Sequence, residues 1–177
     1  DLEVDSVKTQ IGTTARVFNT PNLVALKNPP ASPRPKIRGQ LQVVFLSRIV
    51  NYKNLLGVLE TLQQLPLTNG EGVRLDILGP IQDKGYWEQC QRVIDQLPAA
   101  IAVHYAGVIP HEEVLVRMGA YHLFFFPTWG ENFGHVILEA LLAGTPLLIS
   151  DQTPWRDLSA AGVGWDLPVP DTAAYLA

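Results

Sequence analysis

Residues 123–149, LFFFPTWGENFGHVILEALLAGTPLLI, constrain this chain more than any other stretch, because a strand, a polar loop and a helix follow one another without a break. Leu123, Phe124, Phe125 and Phe126 form a short, wholly apolar run bounded by Pro127, the pattern of a strand buried on both faces of a parallel sheet. From His135 onward, Val136, Ile137, Ala140 and Leu141 recur at helical spacing. Gly144 sits where a left-handed C-cap belongs, and Pro146 stops the helix from continuing. Leu147, Leu148 and Ile149 begin another buried strand, so the unit is β-loop-α-β.

The same alternation runs through the residues before it. A strand over 41–46 leads through the loop 47–53 into a helix with Leu55, Leu56, Leu59 and Leu62 on one face. A strand over 73–78, closed by Gly79 and Pro80, precedes a helix over 86–97 whose Trp87, Cys90, Val93, Ile94 and Leu97 read as core. A strand over 101–106 ends near Gly107, and Pro110 is placed for the first turn of a helix through Val114, Leu115 and Met118. Beyond Ile149, residues 150–158 read as a loop with a helical turn started by Pro154; a last short strand is expected near Asp166 and Leu167, and a helix over 171–177. No internal repeat suggests a solenoid. Strand-helix alternation instead predicts an α/β fold with a doubly wound, Rossmann-like parallel sheet.

Composition agrees with one such domain: 177 residues, 47% hydrophobic and 17% charged, suffice for a sizeable core. Residues 1–40 are less regular. Val4, Val7 and Ile11 could form one face of a short helix and residues 23–26 a short strand, before Pro29, Pro30, Pro33 and Pro35 mark a linker. The net charge of −4 argues against a broad nucleic-acid surface. The single cysteine, Cys90, excludes an internal disulfide and a multi-cysteine zinc site. His104 and His122 sit in or beside strands and read as structural; His111, at a helix start, reads as exposed. No apolar run reaches the ~20 residues that span a bilayer and no signal peptide precedes Asp1, so the chain reads as cytoplasmic. Beginning without Met and ending inside an apparent helix, it also reads as a piece of a longer protein.

Between strand and helix lies Thr128-Trp129-Gly130-Glu131-Asn132-Phe133-Gly134, with two glycines that permit close backbone approach. In open α/β sheets ligands bind beyond the carboxyl ends of the strands, and a helix N-terminus offers N–H groups to an anion. Glu139 follows Glu131 by eight residues, which is a little over two helical turns, so the two carboxylates are separate acceptors along an extended ligand rather than a hydrogen-bonded dyad. Either glutamate alone reads as a solvated side chain beside a core helix. The pair, with its glycine- and phenylalanine-bearing interior, reads as a site.

The segment Glu131-Asn132-Phe133-Gly134-His135-Val136-Ile137-Leu138-Glu139-Ala140 resembles the Glu-x7-Glu donor-binding motif of retaining glycosyltransferases of family 4. Asn132 stands where that family often has Gly, and His135 where an apolar residue is common. The resemblance, over about residues 20–177, implies the C-terminal half of a GT-B fold: residues 1–40 as interdomain linker and domain start, residues 41–177 as the nucleotide-sugar-binding domain, with an N-terminal acceptor domain missing. It implies Glu131 beside the donor sugar, Glu139 on the ribose hydroxyls, and backbone near Phe133 and Gly134 at sugar and diphosphate. Asn132 and His135 belong to the same donor-binding stretch, and backbone around Val108 and Ile109 is implied beside the nucleobase.

Arg48 and Lys53 lie in the loop after the first strand, on the same sheet edge as the Glu131 loop if the sheet is parallel. The family's Gly-Arg followed by Lys five residues after the Arg is matched in spacing, with Ser47 in place of Gly. By that resemblance both cations hold the diphosphate, whose charge grows as the glycosidic bond breaks, in place of a divalent metal. No Asp-x-Asp triplet is present, which fits a metal-independent reaction. The family often has a second glycine just after Gly79, where Pro80-Ile81-Gln82 stands.

The implied ligand is a UDP or GDP sugar, with no other cofactor; the sugar, the acceptor and any peripheral attachment to the inner face of a membrane through the missing domain stay open. A dinucleotide-binding oxidoreductase is disfavoured, since Ser47-Arg48-Ile49 follows the first strand where Gly-x-Gly-x-x-Gly is required. A nucleotide-sugar epimerase of the same architecture and a non-catalytic nucleotide-binding module stay open as alternatives.

Overall fold

The computed structural model describes residues 37–68, 70–169 and 171–176. The helix and strand expected before residue 27, and the proline-rich linker, lie outside these. Six strands form one sheet: β1 (Gln40–Leu46), β2 (Gly72–Leu78), β3 (Ile101–Gly107), β4 (Leu123–Phe126), β5 (Leu147–Ser150) and β6 (Gly164–Leu167). Their order is β3-β2-β1-β4-β5-β6 and every pairing is parallel. The chain runs outward from β1 to β3 on one side, then returns to β4 on the other. This reversal between β1 and β4 is the topological switch point at which doubly wound sheets bind ligands.

Helices α1 (Leu55–Gln63), α2 (Lys84–Ile94), α3 (Val114–Met118), α4 (His135–Leu142) and α5 (Thr172–Leu176) connect the strands or close the chain, with short 3-10 turns at Asn51–Lys53 and His111–Glu113. The central strands carry the core. Val43, Val44, Phe45, Phe124 and Phe126 are fully buried, and Phe125 nearly so. In α1 the buried residues are Leu55, Val58, Leu59, Thr61 and Leu62. Leu56, expected on that face, is half-buried instead, while its N–H donates to Tyr86 Oη on α2 at 2.8 Å. Gly144 has a φ of 72°, the left-handed value its position after α4 requires.

Three expectations need correction. Helix α2 begins earlier and ends earlier than 86–97: Asp83 caps it by accepting from Tyr86 N at 3.0 Å, and the helix stops at Ile94. Only Tyr86 and Cys90 in it are buried; Trp87, Val93, Ile94 and Leu97 are half-covered because α2 packs near the open edge formed by β3. Pro154 starts no helical turn. Trp155 N donates to Thr153 Oγ1 at 3.2 Å, and Asp157 takes a left-handed φ of 58°, so the segment follows the surface as bends. His122 is structural as expected, accepting from Gln42 N at 3.1 Å, whereas His104 is exposed, with Nδ1 3.5 Å from Asp76 Oδ1. No helix among the described residues is long and apolar enough to cross a membrane.

Candidate donor-binding site

The site grows out of the loops that leave the carboxyl ends of the strands. Ladder bonding continues beyond the strands themselves: Ser47 N donates to Leu78 O at 3.0 Å, Ile49 N to Pro80 O at 2.9 Å and Gly79 N to Gly107 O at 2.8 Å. The first three loops are thereby stitched side by side. Gly79 makes this possible. Its φ is 124°, and a Cβ there would collide with the Ser47 carbonyl oxygen.

A second stitching joins the β1 loop to the β4 loop across the switch point. Asn54, in the left-handed conformation with φ 58°, caps α1 by accepting from Gly57 N at 3.2 Å. Its side-chain N–H donates to Pro127 O at 2.8 Å. Trp129 N donates to Tyr52 O at 3.0 Å, and Thr128 Oγ1 lies 3.1 Å from the same carbonyl. On the far side, Glu131 N donates to Gln152 O at 3.1 Å and Trp155 Nε1 donates to Phe133 O. The Glu131 loop is thus fixed from both flanks. Gly134 turns it into α4 at φ 77°, where a Cβ would press on Ile137 Cδ1 at 2.7 Å.

These loops leave a cavity of about 270 Å³ whose lining includes Ser47, Arg48, Gly79, Val108, Ile109 and Glu139. Four of the expected site residues, Arg48, Val108, Ile109 and Glu139, therefore meet in one place although they come from two different loops and a helix. Pro80 also lines it, so the loop after β2 contributes without the second glycine. Arg48 is exposed and its Nη1 donates to Gln82 Oε1 at 3.0 Å. Glu139 is largely covered, and burial pushes its carboxyl above the usual carboxylate range, against the pull of nearby His111 and His135. His111 Nδ1 stands 3.4 Å from Glu139 Oε1.

Lys53 and Glu131 do not line that cavity; they hold each other. Lys53 Nζ donates to Glu131 Oε2 at 2.7 Å, with side chains only 10% and 21% exposed. The ammonium also lies 5.5 Å from the Phe126 ring centre and 5.7 Å from that of Tyr52, within range of cation–π attraction. Glu131 Oε1 accepts from Asn132 N at 3.2 Å. Phe133 packs on His135 with ring centres 4.8 Å apart and on Trp155 at 5.8 Å. The two cations expected on one ligand are thus differently placed: Arg48 open and braced, Lys53 buried and neutralised.

Sequence reasoning missed Asn54, Gln82 and Tyr52. An asparagine directly before an apolar helical repeat is an N-cap signal and could have pointed to Asn54. Nothing local marks Gln82 or Tyr52, whose contacts are made across the fold.

The family model described as Glycosyl transferases group 1 matches residues 31–176. Among curated proteins, O-antigen chain mannosyltransferase B of Escherichia coli is 25% identical over 126 residues, covering 70% of this chain and 32% of that protein. Among solved structures, Anabaena HepE in complex with UDP-glucose aligns over 77% of this chain and 37% of its own, with 22% identity and a TM-score of 0.63. A TarM mutant of S. aureus, in complex with fondaparinux, α-GlcNAc-glycerol and UDP, aligns over 99% of this chain and 34% of its own, with 15% identity and a TM-score of 0.73. The chain thus spans about a third of the length of these relatives.

Proposed function

This chain belongs to the glycosyl transferases of group 1, and on that premise we propose that it is the nucleotide-sugar-binding domain of a retaining, metal-independent glycosyltransferase. The observation that carries the proposal is the cavity at the switch point, with Arg48 and Glu139 on its wall beside Val108 and Ile109. A nucleoside diphosphate needs an apolar shelf for its base, an acceptor for its ribose hydroxyls and fixed cations for its phosphates. Val108 and Ile109 offer the first, Glu139 the second, and Arg48 the third. Helix α4 starts directly after the Glu131 loop and its Val136 and Glu139 line the cavity, so its N-terminal turn lies beside the same place, where a helix dipole favours an anion. That HepE and TarM were solved with UDP-glucose and UDP supports the choice of ligand class.

In this reading residues 41–177 form the donor half, placed C-terminally, and residues 1–40 lead in from an acceptor domain. When the glycosidic bond breaks, negative charge accumulates on the departing diphosphate. Arg48 and Lys53 neutralise it, while Glu131 and the backbone around Phe133 and Gly134 hold the sugar's hydroxyls. Gln82 limits the swing of Arg48 before the ligand arrives.

The test is a donor screen on the full-length protein, in which UDP and GDP sugars are offered with and without candidate acceptors. Expected is transfer from one nucleotide sugar with the anomeric configuration kept, and a rate unchanged by EDTA. Epimer formation without an acceptor would replace the proposal with an epimerase, and turnover abolished by EDTA and restored by a divalent cation would overturn the metal-independent part.

A further inference from the structure

The Lys53–Glu131 pair places an internal anion where an incoming phosphate would have to compete. Lys53 is 8% exposed overall and its ammonium is walled by the Phe126 and Tyr52 rings, so it cannot simply turn to water when a ligand arrives. Asn54 and Trp129 tie the two loops together through backbone carbonyls of Pro127 and Tyr52, which brings the stems of Lys53 and Glu131 side by side, with Nζ and Oε2 2.7 Å apart. Arg48, by contrast, is braced by a neutral amide and carries its full charge toward the cavity.

We propose that Glu131 sets the selectivity between sugar-loaded donor and spent nucleotide, by exchanging its bond to Lys53 for bonds to the donor's sugar hydroxyls. The inference rests on the donor-site reading above and deepens it. A diphosphate that reaches Lys53 competes with Glu131 for the ammonium and weakens its hold on the carboxylate. If the ligand is a nucleoside diphosphate alone, the carboxylate faces two phosphates with its cation shared and no new partner, and a partly buried charge short of its partner is costly. If the ligand carries a sugar, hydroxyl groups donate to the carboxylate and compensate for the shared cation. The same residue thus penalises the product and welcomes the substrate. Spent nucleotide is released more easily once the sugar has left.

The experiment compares affinities of the full-length protein for UDP and UDP-glucose, with GDP and GDP-mannose as the second probe pair, in wild type and Glu131→Gln. Glutamine keeps the shape but not the charge. Expected is about 5- to 10-fold tighter binding of the free nucleoside diphosphate and weaker binding of the nucleotide sugar by a similar factor. On a Lys53→Gln background the gain for free nucleotide should shrink by more than half, because no cation remains to be released. Glu131→Asp, which withdraws the carboxylate by one methylene, should shift both affinities in the same directions by less and covers the case in which Glu131→Gln does not fold. Unchanged nucleotide affinity in the folded variants, or equal tightening of both ligands, would overturn the exchange while leaving the donor site intact. Failure of the wild type to bind any of the four probes would overturn the donor-site reading and the exchange with it.

Discussion

Replacing Arg48 with alanine is expected to weaken UDP binding by roughly 10- to 100-fold while changing uridine affinity by less than about twofold. Charge-assisted hydrogen bonds are worth about 1.5–3 kcal/mol each, and the bond at issue is made to phosphate, not to base or ribose. The geometry favours a large effect. Arg48 lines the cavity, its backbone is locked by the bonds that join the β1 and β2 loops, and its Nη1 is held by Gln82 Oε1 at 3.0 Å. The bond to Gln82 favours a guanidinium conformation beside the cavity before the ligand arrives. Because it is exposed, its attraction for phosphate should also fall with salt, and the wild-type affinity should decline between low and high ionic strength more steeply than that of Arg48→Ala. Calorimetric titration with UDP and with uridine, at two salt concentrations, reads both effects. Equal weakening of the two ligands would show that Arg48 shapes the cavity instead of holding phosphate.

Glu139→Gln is expected to weaken UDP by about the same 10- to 100-fold and, more tellingly, to remove a pH dependence that the wild type possesses. Burial raises the carboxyl of Glu139 above its ordinary value, and His111 and His135 only partly counter this. Ribose hydroxyls donate to the ionised form, so nucleotide binding lowers the value again. The sign follows. Above the raised value of the free protein the carboxylate is already ionised and affinity is flat; as pH falls through that value, affinity drops, because binding must first expel a proton. Folding responds in the opposite sense. A carboxyl raised in the folded state contributes stability that is present below its ordinary value and lost as pH rises through the raised one, so Glu139 costs the free protein stability at neutral pH. The glutamine variant should therefore unfold at a slightly higher temperature than wild type at neutral pH while binding nucleotide more weakly. Because His111 Nδ1 stands 3.4 Å from Glu139 Oε1, the Glu139→Gln curve is read beside that of His111→Gln, which keeps the carboxylate. Parallel curves would contradict its role.

Much of the architecture was legible in the chain because its signals are local. The run Phe124 to Phe126, short and stopped by Pro127, reads as a strand covered on both faces, and all three residues are buried at the centre of the sheet. The Gly144 stop and the strand after it fall where the residue types require them. The positions of Glu131 in a loop and Glu139 on a helix are equally local, since they depend on where α4 begins. What escaped the sequence is the pairing of side chains across the fold. Lys53 meets Glu131 from 78 residues away, and Arg48 meets Gln82 from 34, distances over which no periodicity carries information. The sequence presented Arg48 and Lys53 as two equivalent cations with matching spacing, yet one is braced at the cavity and the other is paired inside the loops. Helix α2 ends short of its expected bound for a related reason: the apolar periodicity continues to Leu97, but beside the edge strand β3 too little surface covers its last turn. Pro154 starts no helical turn because Trp155 N donates to the Thr153 hydroxyl, a contact within the loop that residue types alone do not reveal.

The account stands most directly on where a nucleotide lies, and a crystal structure of the full-length protein with UDP or GDP bound would show it. The expected result places the ribose hydroxyls on Glu139, the base against Val108 and Ile109, and the diphosphate between Arg48 and Lys53, with the Lys53–Glu131 contact broken or lengthened beyond its present 2.7 Å. A nucleotide bound away from the switch point, or one seated there whose phosphates touch neither Arg48 nor Lys53, would contradict it.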